Sequence, residues 1–541
     1  MKSLVKTICA VGLMIWTTAC EDFLTEDPKG RLSSVYFFAG PADLDFALNQ
    51  LYYQVQINMN SNARVGTNFT IGDDLSTHPG ASKDAMRDYD QFDAKDNNPW
   101  MAGLWNAKWA LVKNANFIIN GARNTPDASE EEINNTIGQA HYWRAWTYFY
   151  IVRTWGPVPI MLEEEITYDA PLNSIEEIYD LIVSDLKTAE NLLPINYTRA
   201  PYSVNGRNRA AAQAAAKATL AYVYMSMAGW PLNKGTEYYQ LAAAKALEVI
   251  TAVENGTYNY ALLEEFAKIN SWEYNDNHPE ALLSLFYNRD TQGQTWPCVA
   301  FLLDQAQGGW GDMQGEIKFW KDFPEGPRKE GTYFPKIILT GETVLRDWWY
   351  DTDPPSRPVV APPLIKNVEG AVRGAEFDYT DPTPIASAGE KFHKLILLSE
   401  VYCWYAEAVG RSGQTNAKAI ELLNKVRNRA DGAETNLYPA SMTASELAEA
   451  AYNEHGWEIT GSIKGIIAPR CWDQLRMNRL KDHFEFRKQN PLIEVAPGVF
   501  LKEGVDVAGE WKDWRNYAAY PSSDAVSTMN IHMVEENAKR Q

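Results

Sequence analysis

Residues 138–160, GQAHYWRAWTYFYIVRTWGPVPI, admit few folds. The stretch has helical spacing, and Tyr142, Trp143, Trp146, Tyr148, Phe149, Tyr150, Ile151 and Val152 leave it no wide polar face. A helix that is apolar nearly all round has to be enclosed by other elements. The chain must therefore supply several partners for it. Gly156 and Pro157 end the helix, as Gly followed by Pro commonly does at a C-terminus. Pro159 keeps the exit extended. Arg144 and Arg153 are nine residues apart, and at about 3.6 residues per turn they point to opposite sides. They do not grip one ligand together. Each is expected to meet a buried carboxylate or a helix C-terminus, because buried charges are paired.

Enclosing helices are legible on both sides. Leu44, Leu48, Leu51 and Val55 recur at helical spacing across residues 41–58. Residues 60–98 are rich in Gly, Asn and Asp and read as loop. Helix returns over 100–121 and 130–155. Ser174 caps a helix running to Leu193, with Glu177 completing a capping box and Pro194 stopping it. Residues 210–229 and 238–253, dense in Ala and joined by Gly229-Trp230-Pro231, form one helix pair. Residues 394–411 and 416–430, joined through Gly413, form another. Two-helix units of this size suit tetratricopeptide repeats or generic helical hairpins. Between residues 256 and 389 long helical patterns vanish, Pro and Gly become frequent, and Trp272, Trp296, Trp310, Trp320, Trp348 and Trp349 appear. This reads as an irregular lobe, and such segments tend to carry binding function.

The run A-x-x-x-R-A-W-x-Y-F-x-x-V-R-x-W-G-P-V-P-I, from Ala140 to Ile160, resembles the signature of the SusD/RagB family. Four more stretches agree in family order: the segment at Cys20, LLSEVYCWYAEAVG over 397–410, AIELLNKVRNRA over 419–430, and the segment 457–477 ending in RCWDQLRM. The resemblance covers nearly the whole chain after Cys20. It implies a mainly α fold, with a tetratricopeptide-like scaffold of helical hairpins over 41–255 and 391–480. A large irregular, loop-rich lobe over 256–390 would carry the ligand, and a mixed tail would occupy 490–541. It also implies a surface lipoprotein that binds nutrients, usually glycans, beside a SusC-like TonB-dependent transporter of the outer membrane.

The N-terminus fits that expectation. Lys2 and Lys6 form a positive region, and residues 8–16 are apolar but far shorter than the roughly 20 residues a bilayer span needs. Thr17-Thr18-Ala19-Cys20 follows, so residues 1–19 read as a signal peptide and Cys20 as the lipidated first residue of the mature chain. Thr17 departs from the usual branched residue, and an ordinary secretory signal with a chance Cys is the rival. Glu21 and Asp22 match the acidic residues that accompany surface export in the family. Cys298, Cys403 and Cys471 remain, an odd number at wide spacing, which is neither a disulfide framework nor a zinc pattern.

A net charge of −20 argues against nucleic acid, because phosphate binding needs clustered Lys and Arg. The 19 Trp and 28 Tyr suit a protein that stacks flat rings on sugars. Nucleophile-elbow, zincin, Walker and dinucleotide fingerprints are all missing from the sequence. Glu400 and Glu407 share a helix face about 10 Å apart along the axis and are the best candidates for a glycosidase pair. Salt bridges to Arg427 or Arg429 are the structural alternative. Asp73, Asp74, Asp84, Asp88, Asp90, Asp93 and Asp96 crowd one region and offer hard oxygens for a calcium ion, but without EF-hand spacing. A solvated acidic loop accounts for them more simply, and no catalytic or metal site is assigned.

The sequence therefore predicts a non-enzymatic, lipid-anchored protein at the cell surface that binds oligosaccharide and delivers it to the transporter. By the family's layout, the ligand would lie between Asp73, Arg87, Asn98 and Trp100 on one side and Trp296, Trp310 and Trp320 on the other. The rivals are a glycoside hydrolase on a helical scaffold and a repeat protein that binds only peptide or protein.

Overall fold

The computed structural model describes residues 34–540 apart from 61–71, 81–83, 165–166, 168, 286–302, 351–358, 367, 371–373, 382–389, 433–435, 463–466 and 523–529. Cys20, Trp296 and Cys298 lie outside the described residues.

Local sequence sets the helix ends. Helix α1 spans Pro41–Asn60, α2 Asp84–Asp90, α3 Pro99–Gly121, α4 Glu130–Trp155 and α5 Ile175–Leu192. Capping boxes start α4 at Ser129 with Glu132 and α5 at Ser174 with Glu177, each satisfying two otherwise orphaned backbone donors. Helices α6, Gln213–Ala228, and α7, Thr236–Glu254, follow. Helices α8, Leu398–Arg411, α9, Ala417–Asp431, and α10, Ala444–Ile459, form a second group. Asn416 caps α9, and Thr443 with Glu446 caps α10. Helices α11, Arg470–Arg476, α12, Leu480–Gln489, and α13, Ile531–Arg540, close the chain.

The fold is mainly helical, and its long helices stack in chain order. Helix α1 packs on α3 and α4, α3 on α4, α4 on α5, α5 on α6, α6 on α7, and α7 on α8, which also contacts α9 and α10. Near-neighbour stacking of this kind is the logic of helical-repeat scaffolds. Helices α7 and α8 touch although residues 255–397 separate them in sequence, so that segment is an excursion from a continuous stack. The excursion holds a strand, Ala281–Leu285, short helices at Ile317–Asp322 and Pro327–Glu330, and a second apolar core around Ile317, Trp320, Phe323, Tyr333 and Trp348.

Helix α4 is enclosed as its sequence requires. Tyr142, Trp143, Tyr148, Phe149 and Ile151 are wholly buried. Arg144 finds a carboxylate, with Nε and Nη2 each donating to Asp185 at 2.8 Å. Arg153 differs from expectation. It donates to the carbonyls of Phe149 and Ile467, both at 2.8 Å, and its guanidinium lies 3.5 Å from the ring centroids of Phe149 and Trp472. Burial pulls its pKa down to about 10. Aromatic faces and carbonyls take the place of a carboxylate.

Two local readings need correction. Residues 394–397 are not helix. His393–Leu397 is a strand paired antiparallel with Ala281–Leu285, and the β-branched and apolar run HKLIL suits a fully buried strand as well as a helix. Residues 60–98 are not all loop, since they contain Leu75–Ser76 as a strand and α2. Helix α10 falls within the 391–480 scaffold that the resemblance implies, but its Ala- and Glu-rich sequence has too weak an apolar stripe to delimit it.

The salt-bridge partners of Glu400 and Glu407 are also other than expected. Glu400 accepts from the Leu397 N–H at 2.7 Å and lies 3.5 Å from His455. Glu407 takes Arg476 at 2.9 and 2.7 Å and Arg411 at 2.6 Å. Arg427 pairs with Glu454, and Arg429 with Glu280 and Glu458.

Two outcomes follow. Trp146 is 2 % exposed, has Trp143 at 5.6 Å and carries the Lys108 ammonium 4.4 Å above its ring. Trp146→Ala should cost about 3–5 kcal/mol in urea denaturation; a loss under about 1 kcal/mol would contradict the enclosure. The second concerns His455. Burial lowers its pKa, but Asp473 at 2.6 Å and Glu400 outweigh this and hold it up at about 9. A raised histidine pKa stabilises fully below the unfolded value of about 6.5 and is lost as pH rises through the folded one. The stability difference between the chain and a His455→Gln variant should therefore shrink from pH 6 to pH 9, whereas a pH-independent difference would show that His455 does not titrate there.

Candidate functional site

The loop after α1 meets the lobe at a two-stranded ribbon. Leu75 pairs with Gly315 and Ser76 with Gln314. Asp90, fully buried, anchors the loop side by accepting from the Thr77 N–H at 2.7 Å, the Thr77 hydroxyl at 2.8 Å and Arg487 at 2.7 Å. Asp304 anchors the lobe side. It accepts from the Ala306 N–H at 2.8 Å and the Gln314 amide at 2.6 Å, and it faces His78 at 3.6 Å across the junction.

Between these anchors, Gly308-Gly309-Trp310-Gly311 forms a tight turn. Gly308 has a left-handed φ of 83°, which a side chain rarely adopts. A Cβ on Gly309 would lie 2.2 Å from the Leu303 carbonyl oxygen. The turn holds Trp310 outward at 36 % exposure, the most exposed Trp among the described residues. Beside it, the Gln305 amide donates to the Trp310 carbonyl at 3.3 Å and to the Gly80 carbonyl at 3.2 Å, and Arg87 donates to the Pro79 carbonyl at 2.7 Å. An exposed indole, a guanidinium and a side-chain amide thus share one junction, which offers a flat apolar face flanked by hydrogen-bonding groups.

The sequence-read site residues divide. Arg87 and Trp310 belong to this junction. Asp73 is held by Arg470 at 2.8 and 3.3 Å; burial raises its pKa, but the guanidinium brings it below the usual range. Asn98 is a buried helix cap that accepts from the Trp100 and Met101 N–H groups and donates to the Ala85 carbonyl at 2.8 Å. Trp100 is half-buried against the main core. Trp320 is core, with Trp348 and Trp349 both at 5.2 Å and the Lys329 ammonium 4.3 Å from its ring. Gln305 was not read from the sequence. The signal was the Asp304–Gln307 cap just before the glycine turn.

The acidic run is not wholly solvated. Asp74 and Asp90 are buried. Burial, with Asp73 beside it, pushes the Asp74 pKa up to about 7. Among the described residues no group of three or more His, Cys, Asp or Glu is arranged to hold a metal ion. Glu400 and Glu407 are buried and committed to Leu397, His455, Arg476 and Arg411, which leaves no open carboxylate pair on α8.

A family model described as starch-binding and associating with the outer membrane matches residues 22–225, and the SusD family model matches residues 378–486. A SusD-like protein of Bacteroides ovatus is 27 % identical over 457 residues, covering 80 % of this chain and 76 % of its own. SusD-like protein P25 of Formosa agariphila is 23 % identical, with 91 % and 93 % covered. Among solved structures, a SusD homolog from Bacteroides thetaiotaomicron superposes with a TM-score of 0.70 at 17 % identity, over 92 % of this chain and 97 % of the other. A structure with xylogluco-oligosaccharide superposes at 0.66 and 20 % identity, over 90 % and 98 %. With family matches at both ends of the helical stack and the same fold throughout, the chain belongs to the SusD/RagB family.

Proposed function

We propose that this chain is a surface-exposed lipoprotein of the outer membrane that captures oligosaccharide and passes it to a SusC-like TonB-dependent transporter. Family membership makes it a binding protein and not an enzyme. The observation that carries the ligand class is Trp310, a large aromatic held in the open by a turn that only glycines permit. A sugar ring has one apolar face and a rim of hydroxyls. The indole suits the face, and Arg87 and Gln305 suit the rim. A second support is the relative solved with xylogluco-oligosaccharide. No described helix is long and apolar enough to cross a membrane, and lipidation at Cys20 would supply attachment.

Trp310→Ala should weaken oligosaccharide binding roughly thirtyfold, the usual scale for a hot-spot truncation, while the Tm stays nearly fixed. Trp320→Ala should do the reverse, losing about 3 kcal/mol or more of stability through the cavity it opens. Calorimetric titration against a glycan identified on an array, with thermal melts of both variants, separates the roles. If Trp310→Ala binds as tightly as the unaltered chain, the site is elsewhere. For anchoring, Cys20→Ala should move the protein from the membrane to the soluble fraction, and continued membrane attachment of that variant would refute the lipid anchor.

A further inference from the structure

A second concavity lies on the helical scaffold and shares no residue with the Trp310 junction. Helix α1, the first turns of α4 and residues 194–202 enclose about 270 Å³. One water needs only about 10–15 Å³, and small-molecule sites begin near about 300 Å³. The space therefore fits a molecule of about one ring.

Gln139 forms its floor and is wholly buried. The orientation of its amide is set by a relay. The Ala211 N–H donates to the Tyr52 hydroxyl at 3.1 Å, and that hydroxyl donates to Gln139 Oε1 at 2.8 Å. Nε2 is left without a partner, and an unpaired buried donor is costly. Tyr197 and Tyr202 line the same cleft, with ring centroids 5.6 Å apart and planes tilted by 41°. Both rings are fixed through their hydroxyls, Tyr197 donating to the Ala211 carbonyl and Tyr202 to Asp45, each at 2.8 Å. Arg199 is neutralised by Asp45 at 2.8 Å. Asn135 and Thr198 add neutral hydrogen-bonding groups to the lining.

Glu131 and Glu132 also line the cleft, Glu132 being taken by the Ser129 cap, so the lining disfavours an anion; together with the aromatic rings, amides and hydroxyls these acceptors suit a polyhydroxylated ligand. The geometry points to a second carbohydrate subsite in this scaffold cleft, taking a single neutral sugar ring whose hydroxyl accepts from Gln139 Nε2. The subsite does not depend on the Trp310 junction.

The test uses saturation-transfer NMR and titration with xylose, glucose and galactose on the chain that starts after Cys20. At least one sugar should bind at millimolar concentration. Gln139→Met should weaken it about tenfold, the scale of one lost hydrogen bond. Thr198→Trp fills the mouth from an exposed position, leaves the buried relay untouched and should abolish binding. Trp310→Ala should change nothing here. Absence of transfer from all three sugars overturns the subsite, as does a signal that survives both cleft variants or one lost only in Trp310→Ala. Failure here with oligosaccharide binding intact leaves the Trp310 junction standing. Cleft binding that persists while Trp310→Ala binds oligosaccharide normally overturns the junction alone.

Discussion

The irregular lobe is held to the helical stack by buried charge. Glu454 and Glu458 of α10 face Arg328 of the lobe at 2.7 and 3.3 Å, Glu458 also meets Arg429 of α9, and Arg429 reaches Glu280 at 2.6 Å beside the strand that opens the lobe. Lys366 donates to the Glu458 carbonyl at 2.7 Å. All of these groups are buried. Such a network is weak evidence for net stability, since desolvation offsets much of the attraction. Removing one member is another matter, because it strands an uncompensated charge at a cost of about 3–5 kcal/mol. These pairs join the lobe to α9 and α10 in the register observed.

The proposed site at the junction depends on that register. The Trp310 turn belongs to the lobe, Pro79 and Gly80 belong to the loop after α1, and Arg87 belongs to α2. Their juxtaposition depends on the short ribbon, on Asp90 and Asp304 as anchors, and on the lobe sitting where the charges hold it. A surface assembled this way is pre-formed, which lowers the ordering cost of binding.

The abundance of aromatic residues turns out to be mostly architecture. Trp105, Trp143, Trp146, Trp155 and Trp404 are buried in the main core, and Trp320 and Trp348 in the second. Edge-to-face contacts such as Trp105 with Trp155, 5.0 Å apart at 90°, let large rings fill space with favourable geometry. A Trp in a Gly- and Pro-rich segment is therefore not by itself a platform. Trp310 differs because a backbone turn that cannot accept side chains fixes it outside any core.

Much of the scaffold was legible in the sequence, because its signals are local. The spacing of Leu44, Leu48, Leu51 and Val55, the box at Ser174, and the apolar surround of Tyr142 to Val152 each follow from helical periodicity and orphaned backbone donors. Tertiary structure decided what periodicity does not encode. It made residues 393–397 a strand, because Ala281–Leu285 was there to pair with them. It sent Glu400 to His455 and Glu407 to Arg476, and it turned Asp73, Asn98 and Trp320 from surface candidates into a partly buried ion pair, a helix cap and core. Long-range pairing of charges and rings depends on which faces the stack brings together, and no spacing along the chain carries that information.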